Sequence, residues 1–314
     1  MPAQLDPLSD IDPWAFVPHP EVWLLVGFLT GAYVYMVRVI GPTAVGPGQP
    51  VVTRRNVISF TAAIVILWVS SDWPVHDISE DYLYFVHMIQ HMALAFWVPP
   101  LALMATPEWL MRTLIGRGRA YRAARWLTLP VVAALLYNGG TLLTHIPGLV
   151  NASIGDGFWN GALHYALHVI VVTASLLMWM PVLGPIPEFR LGYLGRCGYL
   201  FAQSIVPTIP AAFLTFADSA VYDGYEQPIR LWGLSIIDDQ QLAGGIMKLM
   251  GGMFLWALVI VYFIRYARQF RTSHDYRRGR RPHDSEIIGN SETTLTTADV
   301  EAAFARTAPA RDED

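Results

Sequence analysis

The chain is poor in charge and almost free of cysteine and lysine. Only 15% of its 314 residues are charged, whereas soluble domains carry about 25%. The single cysteine, Cys197, excludes an intramolecular disulfide framework, an iron–sulfur cluster on cysteine ligands and any CxxC motif. The net charge of −4, with no basic domain, argues against nucleic acid as a partner. Together with 54% hydrophobic residues, the shortage of charge indicates a membrane protein.

Long apolar runs are abundant. A bilayer core about 30 Å thick needs roughly 20 apolar residues per helix. Seven segments meet this need, at about 22–41, 57–72, 83–106, 127–147, 161–183, 197–217 and 240–265. Pro99-Pro100 predicts a kink or break in the third segment, and Pro207 with Pro210 predicts a sixth segment that is not straight. We therefore expect an all-α, polytopic bundle of seven transmembrane helices.

Arginines set the predicted orientation, since all but one of the 21 basic residues are arginine. They concentrate in segments 42–56, 107–126 and 184–196 and in the tail after 265. The loops on the opposite side contain a single basic residue, Arg230. The positive-inside rule therefore predicts the N-terminus outside and the C-terminus in the cytoplasm. Seven spans, an odd number, also place the two termini on opposite sides of the membrane.

Both ends of the chain lie outside the predicted membrane domain of residues 22–265. Residues 1–21 are expected to form an extracytoplasmic segment. Asp6, Asp10 and Asp12 stand where a cleavable signal peptide would carry positive charge, so no such signal is expected. Residues 266–314 form a predicted cytoplasmic tail, basic and then acidic, whose polar composition favours disorder.

Histidines cluster at one predicted depth, in the outer halves of the spans. His87 and His91 on the third span, and His164 and His168 on the fifth, are i,i+4 pairs, so each pair projects from one helix face. Two imidazoles placed in this way can hold one metal ion. His145, near the outer end of the fourth span, supplies a fifth imidazole. We therefore predict one outward-facing metal site. Two further histidines, in outer loops, are interpreted as packed or hydrogen-bonded residues: His19 and His76.

Other side chains extend this predicted site. Met88 and Met92 follow the two histidines of the third span, and imidazole with thioether favours copper, especially Cu(I). Asp238 and Asp239 precede the seventh span and are predicted as secondary ligands or an access funnel for a cation. Further carboxylates precede the third span: Asp72, Asp77, Glu80 and Asp81. Core packing also explains the methionines, and the positive-inside pattern also explains the acidic loops, so both alternatives stay open.

The single lysine, Lys248, falls about two turns inside the seventh span. A lysine within the membrane is a functional hypothesis by default. We expect it to form an ion pair with an acid such as Asp218 or Asp239, or to carry a proton. The glycines around it, from Gly244 to Gly252, predict close helix packing.

Four short motifs occur in order along the spans. They are Phe85-Val-His-Met-Ile-Gln-His-Met-Ala-Leu with Pro99-Pro-Leu; Thr144-His-Ile-Pro-Gly148; Leu163-His-Tyr-Ala-Leu-His168 with Met178-Trp-Met-Pro-Val182; and Asp239-Gln-Gln-Leu-Ala-Gly-Gly-Ile-Met247. In this order they resemble the bacterial cytochrome c oxidase assembly proteins of the CtaG type, which are associated with caa3 oxidases. The resemblance covers about residues 20–270. The family often has Met-Trp where this chain has Met247-Lys248, so the resemblance assigns no role to Lys248.

The resemblance implies a chaperone without enzymatic activity in the bacterial inner cell membrane. Such a protein takes part in maturing a haem–copper oxidase, with copper delivery to the catalytic subunit. The expected partners are that subunit, the lipid bilayer and other copper chaperones. The residues predicted to hold Cu(I) are His87, His91, His164 and His168, with His145 close by. Three alternatives stay open: haem ligated by paired histidines on different helices, a transporter or proton-coupled enzyme suggested by Lys248 and the broken sixth span, and a structural chaperone without metal.

Overall fold

The computed structural model describes residues 12, 14–155, 157–226 and 230–279, together with residues 297 and 301. These described residues form α-helices and no strand. The helices are α1 (Pro20–Tyr35), α2 (Gly41–Ala44), α3 (Arg54–Ser71), α4 (Val75–Asp81), α5 (Tyr84–Met92), α6 (Val98–Ala105), α7 (Glu108–Ile115), α8 (Arg119–Leu127), α9 (Pro130–Thr144), α10 (Pro147–Ser153), α11 (Phe158–Leu183), α12 (Tyr193–Gln203), α13 (Thr208–Thr215), α14 (Ile236–Ile246) and α15 (Gly252–Gly279). Three π-helical turns join α1 to α2, α5 to α6 and α14 to α15: Met36–Ile40, Ala93–Trp97 and Met247–Gly251. Short 3₁₀ turns cover Pro187–Phe189, Asp223–Tyr225 and Leu231–Gly233.

Within the described part of the chain, five helical stretches are long and apolar enough to cross a membrane. They are Pro20–Ala44, Tyr84–Ala105, Phe158–Leu183, Tyr193–Thr215 and Ile236–Arg271. Two bent pairs raise the number to seven if each crosses as one span: Arg54–Ser71 with Val75–Asp81, bent by 42°, and Arg119–Leu127 with Pro130–Thr144, bent by 67°. The all-α prediction is confirmed, and the apolar helices indicate a membrane protein. The count of seven and the orientation stay predictions.

The 67° bend between α8 and α9 has a local cause. Leu129 adopts an extended conformation, because the residue before a proline is disfavoured in the α region. Pro130 then begins α9, where its missing N–H is no loss. α8 carries Arg119, Arg122 and Arg125 and buries none of its residues. An arginine-rich helix of this kind suits a membrane surface better than its interior.

The third span lies at the centre of the bundle. In its most apolar stretch 72% of the residues are buried, against 6% for the first span. Its N-terminal half, α5, packs against α4 and α14, whereas α6 packs against α3 and α11. The span that carries two of the predicted metal ligands is therefore enclosed by protein on most sides.

The proline pair does not break this span, although the sequence predicts a kink or break there. Tyr84–Ala105 is one continuous helix in which Ala93–Trp97 forms a π turn. Pro99 has no N–H to donate to the carbonyl of Ala95, four residues earlier. The buried Trp179 supplies the missing donor, with its Nε1 3.0 Å from Ala95 O. In the sixth span an interruption is present, because α12 ends at Gln203 and α13 begins at Thr208.

One of the glycines near Lys248 is required by close packing. A Cβ on Gly244 would lie 2.5 Å from Thr215 Oγ1 and 2.6 Å from Ala211 O, so α13 and α14 approach too closely for any side chain there. A Cβ on Gly245 would meet nothing within 4 Å. The predicted close packing therefore depends on Gly244.

The chain divides into two compact units, Met1–Tyr266 and Ala267–Asp314. The first contains α1 to α14 and all seven predicted spans. In the second, the backbone stays helical to Gly279, so the last helix continues past the predicted end at 265. The rest of the predicted disordered tail lies outside the described residues, apart from residues 297 and 301.

Candidate metal site

Helices α5 and α11 bring the four paired histidines together. Within each i,i+4 pair the ring centroids lie 4.4 Å apart, in His87–His91 and in His164–His168. Between the helices, the His91 and His168 rings lie 4.9 Å apart and the His87 and His164 rings 5.5 Å apart. His145, at the end of α9, has its ring 6.3 Å from that of His91. We call these five residues the histidine cluster.

Three members of the cluster already approach the geometry of a shared metal ion. His87, His164 and His168 each place one ring nitrogen so that the three atoms lie within 4.8 Å of one another. Two nitrogens bound to one ion at about 2.0–2.1 Å lie at most about 4.2 Å apart. Small rotations of the imidazole rings therefore suffice to bring the three nitrogens onto one ion.

The cluster holds ring nitrogens that have no hydrogen-bond partner. Among buried atoms these include His87 Nδ1, His91 Nε2, His145 Nε2 and His168 Nε2. Leaving a buried polar atom unpaired costs about 1–3 kcal/mol, and native structures contain few such atoms. Several unpaired nitrogens in one place fit a site whose lone pairs are taken by a cation.

Hydrogen bonds around His145 fix which of its nitrogens is free. Its Nδ1 donates to the carbonyl of Thr141 at 2.7 Å, so its Nε2 carries the lone pair. Metal-binding histidines are commonly oriented in this way by a backbone carbonyl. On the other side, the hydroxyl of Tyr222 donates to His145 O at 3.0 Å. Burial raises the pKa of Tyr222, which keeps the phenol protonated as a donor.

The cluster lines a small cavity. Its volume is about 20 Å³, and its walls include the five histidines together with Tyr84 and Tyr225. A cavity of roughly this size holds one water molecule or one ion. A second cavity, of about 40 Å³, shares His91 and His145 with the first and extends to Lys248.

The two predicted methionines, Met88 and Met92, are both buried in the apolar core. Met92 lines the second cavity, with its Sδ 3.5 Å from the position that a Cβ on Gly251 would take. Their positions are those of core residues, and a thioether ligand stays a prediction.

The two predicted aspartates are engaged elsewhere. The carboxylate of Asp239 is fully buried and accepts the backbone N–H groups of Tyr84 at 3.0 Å and Phe85 at 2.9 Å. Arg230 Nη2 lies 3.4 Å from it. Asp238 is exposed and accepts a hydrogen bond from Ser235 at the start of α14. These contacts place Asp239 at the start of α5, and its role as a secondary ligand or part of an access funnel stays a prediction. A helix start leaves N–H groups unsatisfied, and a buried carboxylate stabilises them.

The partner of Lys248 differs from the predicted one. Its Nζ donates to Thr208 Oγ1 at 2.6 Å, and Asp239, one of the predicted partners, is occupied by Arg230 and α5. The reason is positional, since the π turn Met247–Gly251 sets Lys248 against the interruption between α12 and α13. Hydrogen bonding to a hydroxyl replaces the expected ion pair.

From the sequence, Glu80 is predicted only as one of several carboxylates before the third span, and His76 is interpreted as a packed or hydrogen-bonded residue. Glu80 Oε2 lies 3.1 Å from His76 Nε2, and Glu80 Oε1 lies 3.1 Å from His164 Nε2. A signal was present, because His76 and Glu80 are an i,i+4 pair on the short helix before the third span. The structure therefore extends the polar cluster onto α4.

The fold and the site together define a class of protein: a bundle of membrane helices that encloses a buried group of imidazoles. Residues 27–269 match the family model described as cytochrome c oxidase caa3 assembly factor (Caa3_CtaG). The chain belongs to this family, and the resemblance seen in the four motifs is confirmed.

Curated relatives are found in mycobacteria. Uncharacterised proteins of Mycobacterium bovis and Mycobacterium tuberculosis are each 28% identical over 207 residues, which cover 60% of this chain and 31% of theirs. One of Mycobacterium leprae is 25% identical over 205 residues, covering 60% and 30%. The chain thus spans about a third of the length of these relatives. No solved structure matches the chain.

Proposed function

We propose that this protein assists assembly of a haem–copper cytochrome c oxidase in the bacterial cell membrane by binding copper in the histidine cluster and delivering it to the catalytic subunit. The observation that carries the proposal is the convergence of unpaired, buried imidazole nitrogens on a cavity for one ion. Family membership supports the assembly role. Transfer proceeds by ligand exchange, without making or breaking covalent bonds in a substrate.

The donor set favours Cu(I). His87, His164 and His168 are neutral ligands when they bind a metal, and imidazole suits copper as well as zinc, iron and nickel. Burying an ion in a low-dielectric site costs less for one charge than for two, because the desolvation penalty grows with the square of the charge. A buried, all-imidazole group therefore fits a singly charged copper ion best.

Haem fits the described geometry less well. Pockets for organic ligands span about 300–1,000 Å³, whereas the cavity within the cluster measures about 20 Å³. Rings on different helices are also close, 4.9 Å apart in His91–His168 and 5.5 Å apart in His87–His164, so a porphyrin does not fit between them. Copper is therefore the proposed cargo.

The test compares purified wild-type protein with the double variant His87→Ala/His91→Ala after anaerobic loading with Cu(I). We expect about one copper per wild-type chain and at least about ten-fold less in the variant, because first-sphere ligands are lost. Copper is measured by elemental analysis. Equal copper in the two proteins would overturn the proposal, and a Soret band in the wild-type spectrum would favour haem.

Gly244→Ala provides a matched control, since it disturbs the packing of α13 on α14 without touching a histidine. It is expected to lower stability while the folded fraction keeps its copper. In cells, the histidine variant should fail to support oxidase assembly. The structural-chaperone alternative predicts the reverse, with assembly surviving the histidine changes and failing in Gly244→Ala. A transporter would instead show ion flux in liposomes.

A further inference from the structure

Glu80 lies between two imidazoles at the edge of the histidine cluster. One carboxylate oxygen is 3.1 Å from His76 Nε2 and the other is 3.1 Å from His164 Nε2. The side chain of Glu80 is 34% exposed, whereas those of His76 and His164 are each 5% exposed. This carboxylate therefore contacts the surroundings and two buried rings at the same time.

The orientation of His76 directs one nitrogen to this position. Its Nδ1 lies 3.3 Å from the side-chain amide of the buried Gln90. The other nitrogen, Nε2, is thereby left to face Glu80. Gln90 is held in turn by Ser79, whose hydroxyl lies 3.0 Å from Gln90 Oε1. The Gln90 amide N–H donates to Nδ1, so Nε2 carries the proton and donates to Glu80. To bind a metal at Nε2, that proton moves to Nδ1 and the Gln90 amide turns its oxygen toward the ring.

His164 Nε2 is available as a ligand. Although it lies 3.1 Å from Glu80 Oε1, the two groups are not aligned for a hydrogen bond, and this buried nitrogen has no other partner. His164 is also one of the three residues whose nitrogens converge in the cluster. An ion between His76, Glu80 and His164 would therefore be one imidazole away from the cluster.

Polar side chains continue outward from this position. The His19 ring lies 4.9 Å from that of His76. Its two nitrogens face carboxylates, with Nδ1 3.1 Å from Glu21 and Nε2 3.2 Å from Asp77. Alternating carboxylates and imidazoles thus run from an exposed residue, Glu21, to the buried cluster.

We propose that His76, Glu80 and His164 form a second metal site, which shares His164 with the histidine cluster and takes a divalent transition-metal cation. Two nitrogens and a carboxylate are donors that suit Zn²⁺ and Cu²⁺, and the carboxylate compensates part of the ionic charge. The role of this site in loading metal into the cluster rests on the proposed function. As a binding site, it rests on the two 3.1 Å contacts of Glu80, and the His76 and His164 rings must move closer together to share one ion.

Zn²⁺ is the probe of choice, because it undergoes no redox change. The experiment uses full-length protein in which His87→Ala/His168→Ala removes two cluster ligands and leaves His164 in place. This background is expected to bind about one Zn²⁺ per chain in a calorimetric titration. Adding Glu80→Ala should weaken Zn²⁺ binding at least about ten-fold. Adding Asp223→Asn, which removes an exposed carboxylate of another loop, should leave it unchanged.

His76→Asn provides a second variant in the same background, in case Glu80→Ala does not fold. It should produce the same loss of Zn²⁺, with unchanged elution on size exclusion. The site is overturned if the background binds no Zn²⁺, or if neither substitution weakens binding. These failures differ from failure of the proposed function. If the background binds no Zn²⁺ while the wild-type protein still binds copper, only the second site is disproved. If the background binds Zn²⁺ while the wild-type protein binds no copper, only copper delivery is disproved.

Discussion

Polar side chains are buried and paired at one end of the helix bundle and exposed at the other. At the histidine end, which carries the cluster, Asp239 and Gln90 are buried and matched to specific partners. At the arginine end, which carries the arginine-rich segments, Arg112 bonds Glu108 and Glu188 in the open. Buried polar networks fix geometry because each unpaired member is costly, whereas exposed ion pairs contribute little. One end contains the candidate site, and the other contains the arginines on which the predicted orientation rests.

The largest expected effect is at the histidine end. Asp239→Ala removes the acceptor for the two N–H groups that begin α5 and leaves Arg230 without its carboxylate. Breaking a buried, paired charge typically costs about 3–5 kcal/mol. We expect a loss of this order in denaturant unfolding of the purified protein, together with reduced copper capacity, because α5 carries His87 and His91.

The neighbouring residue provides the control for this prediction. Asp238→Ala removes the same charge from an exposed position at the start of α14. Its effect on unfolding should be much smaller, since water replaces the lost contacts. If the two variants lose equal stability, the buried contacts of Asp239 do not set the start of α5.

A moderate effect is expected at Tyr222, also at the histidine end. Tyr222→Phe removes the hydroxyl that donates to the carbonyl of His145 and leaves the ring packing intact. The loss of one such hydrogen bond costs about 1 kcal/mol. Copper content should be retained, because Thr141 still orients the His145 ring. Copper loss as large as in His87→Ala/His91→Ala would show that the carbonyl bond sets the ligand geometry.

The smallest effect is expected at the arginine end. The Arg112 guanidinium lowers the pKa of Glu188 by hydrogen bonding. Any contribution to stability is thus present above the ordinary carboxyl pKa and is lost as the pH falls through the lowered value. Because the pair is exposed and screened by salt, Glu188→Gln should leave the unfolding midpoint at pH 7 unchanged. A clear shift would remove the contrast between the two ends.

Much of the fold was predictable, because apolar length and helical spacing are local properties. The segments around 22–41, 83–106 and 161–183 appear as helices, and i,i+4 spacing placed His87 with His91 and His164 with His168. Proline effects were harder to predict. A π turn accommodates the pair at residues 99 and 100. The carbonyl of Ala95, which the pair leaves unbonded, accepts a hydrogen bond from Trp179, more than 80 residues away in the chain.

The parts of the site that were missed depend on contacts between distant segments. Asp239 binds the start of α5 across 155 residues, and Lys248 binds Thr208 across 40. Spacing along one helix carries no information about such partners. His76 was interpreted as an ordinary packed histidine, although Glu80 lies one turn further along the same helix. The structure shows that the pair faces His164.

The π turn Ala93–Trp97 affects how the two halves of the third span, α5 and α6, are rotated relative to each other. A π turn places one residue more than an α turn within the same helix, and each α-helical residue advances the helix by about 100°. Because the π turn takes up its extra residue locally, deleting one residue there would restore the regular period and leave His87 and His91 facing α11. Deleting one residue from an α-helical turn between these histidines and α6 would instead rotate them by about 100°.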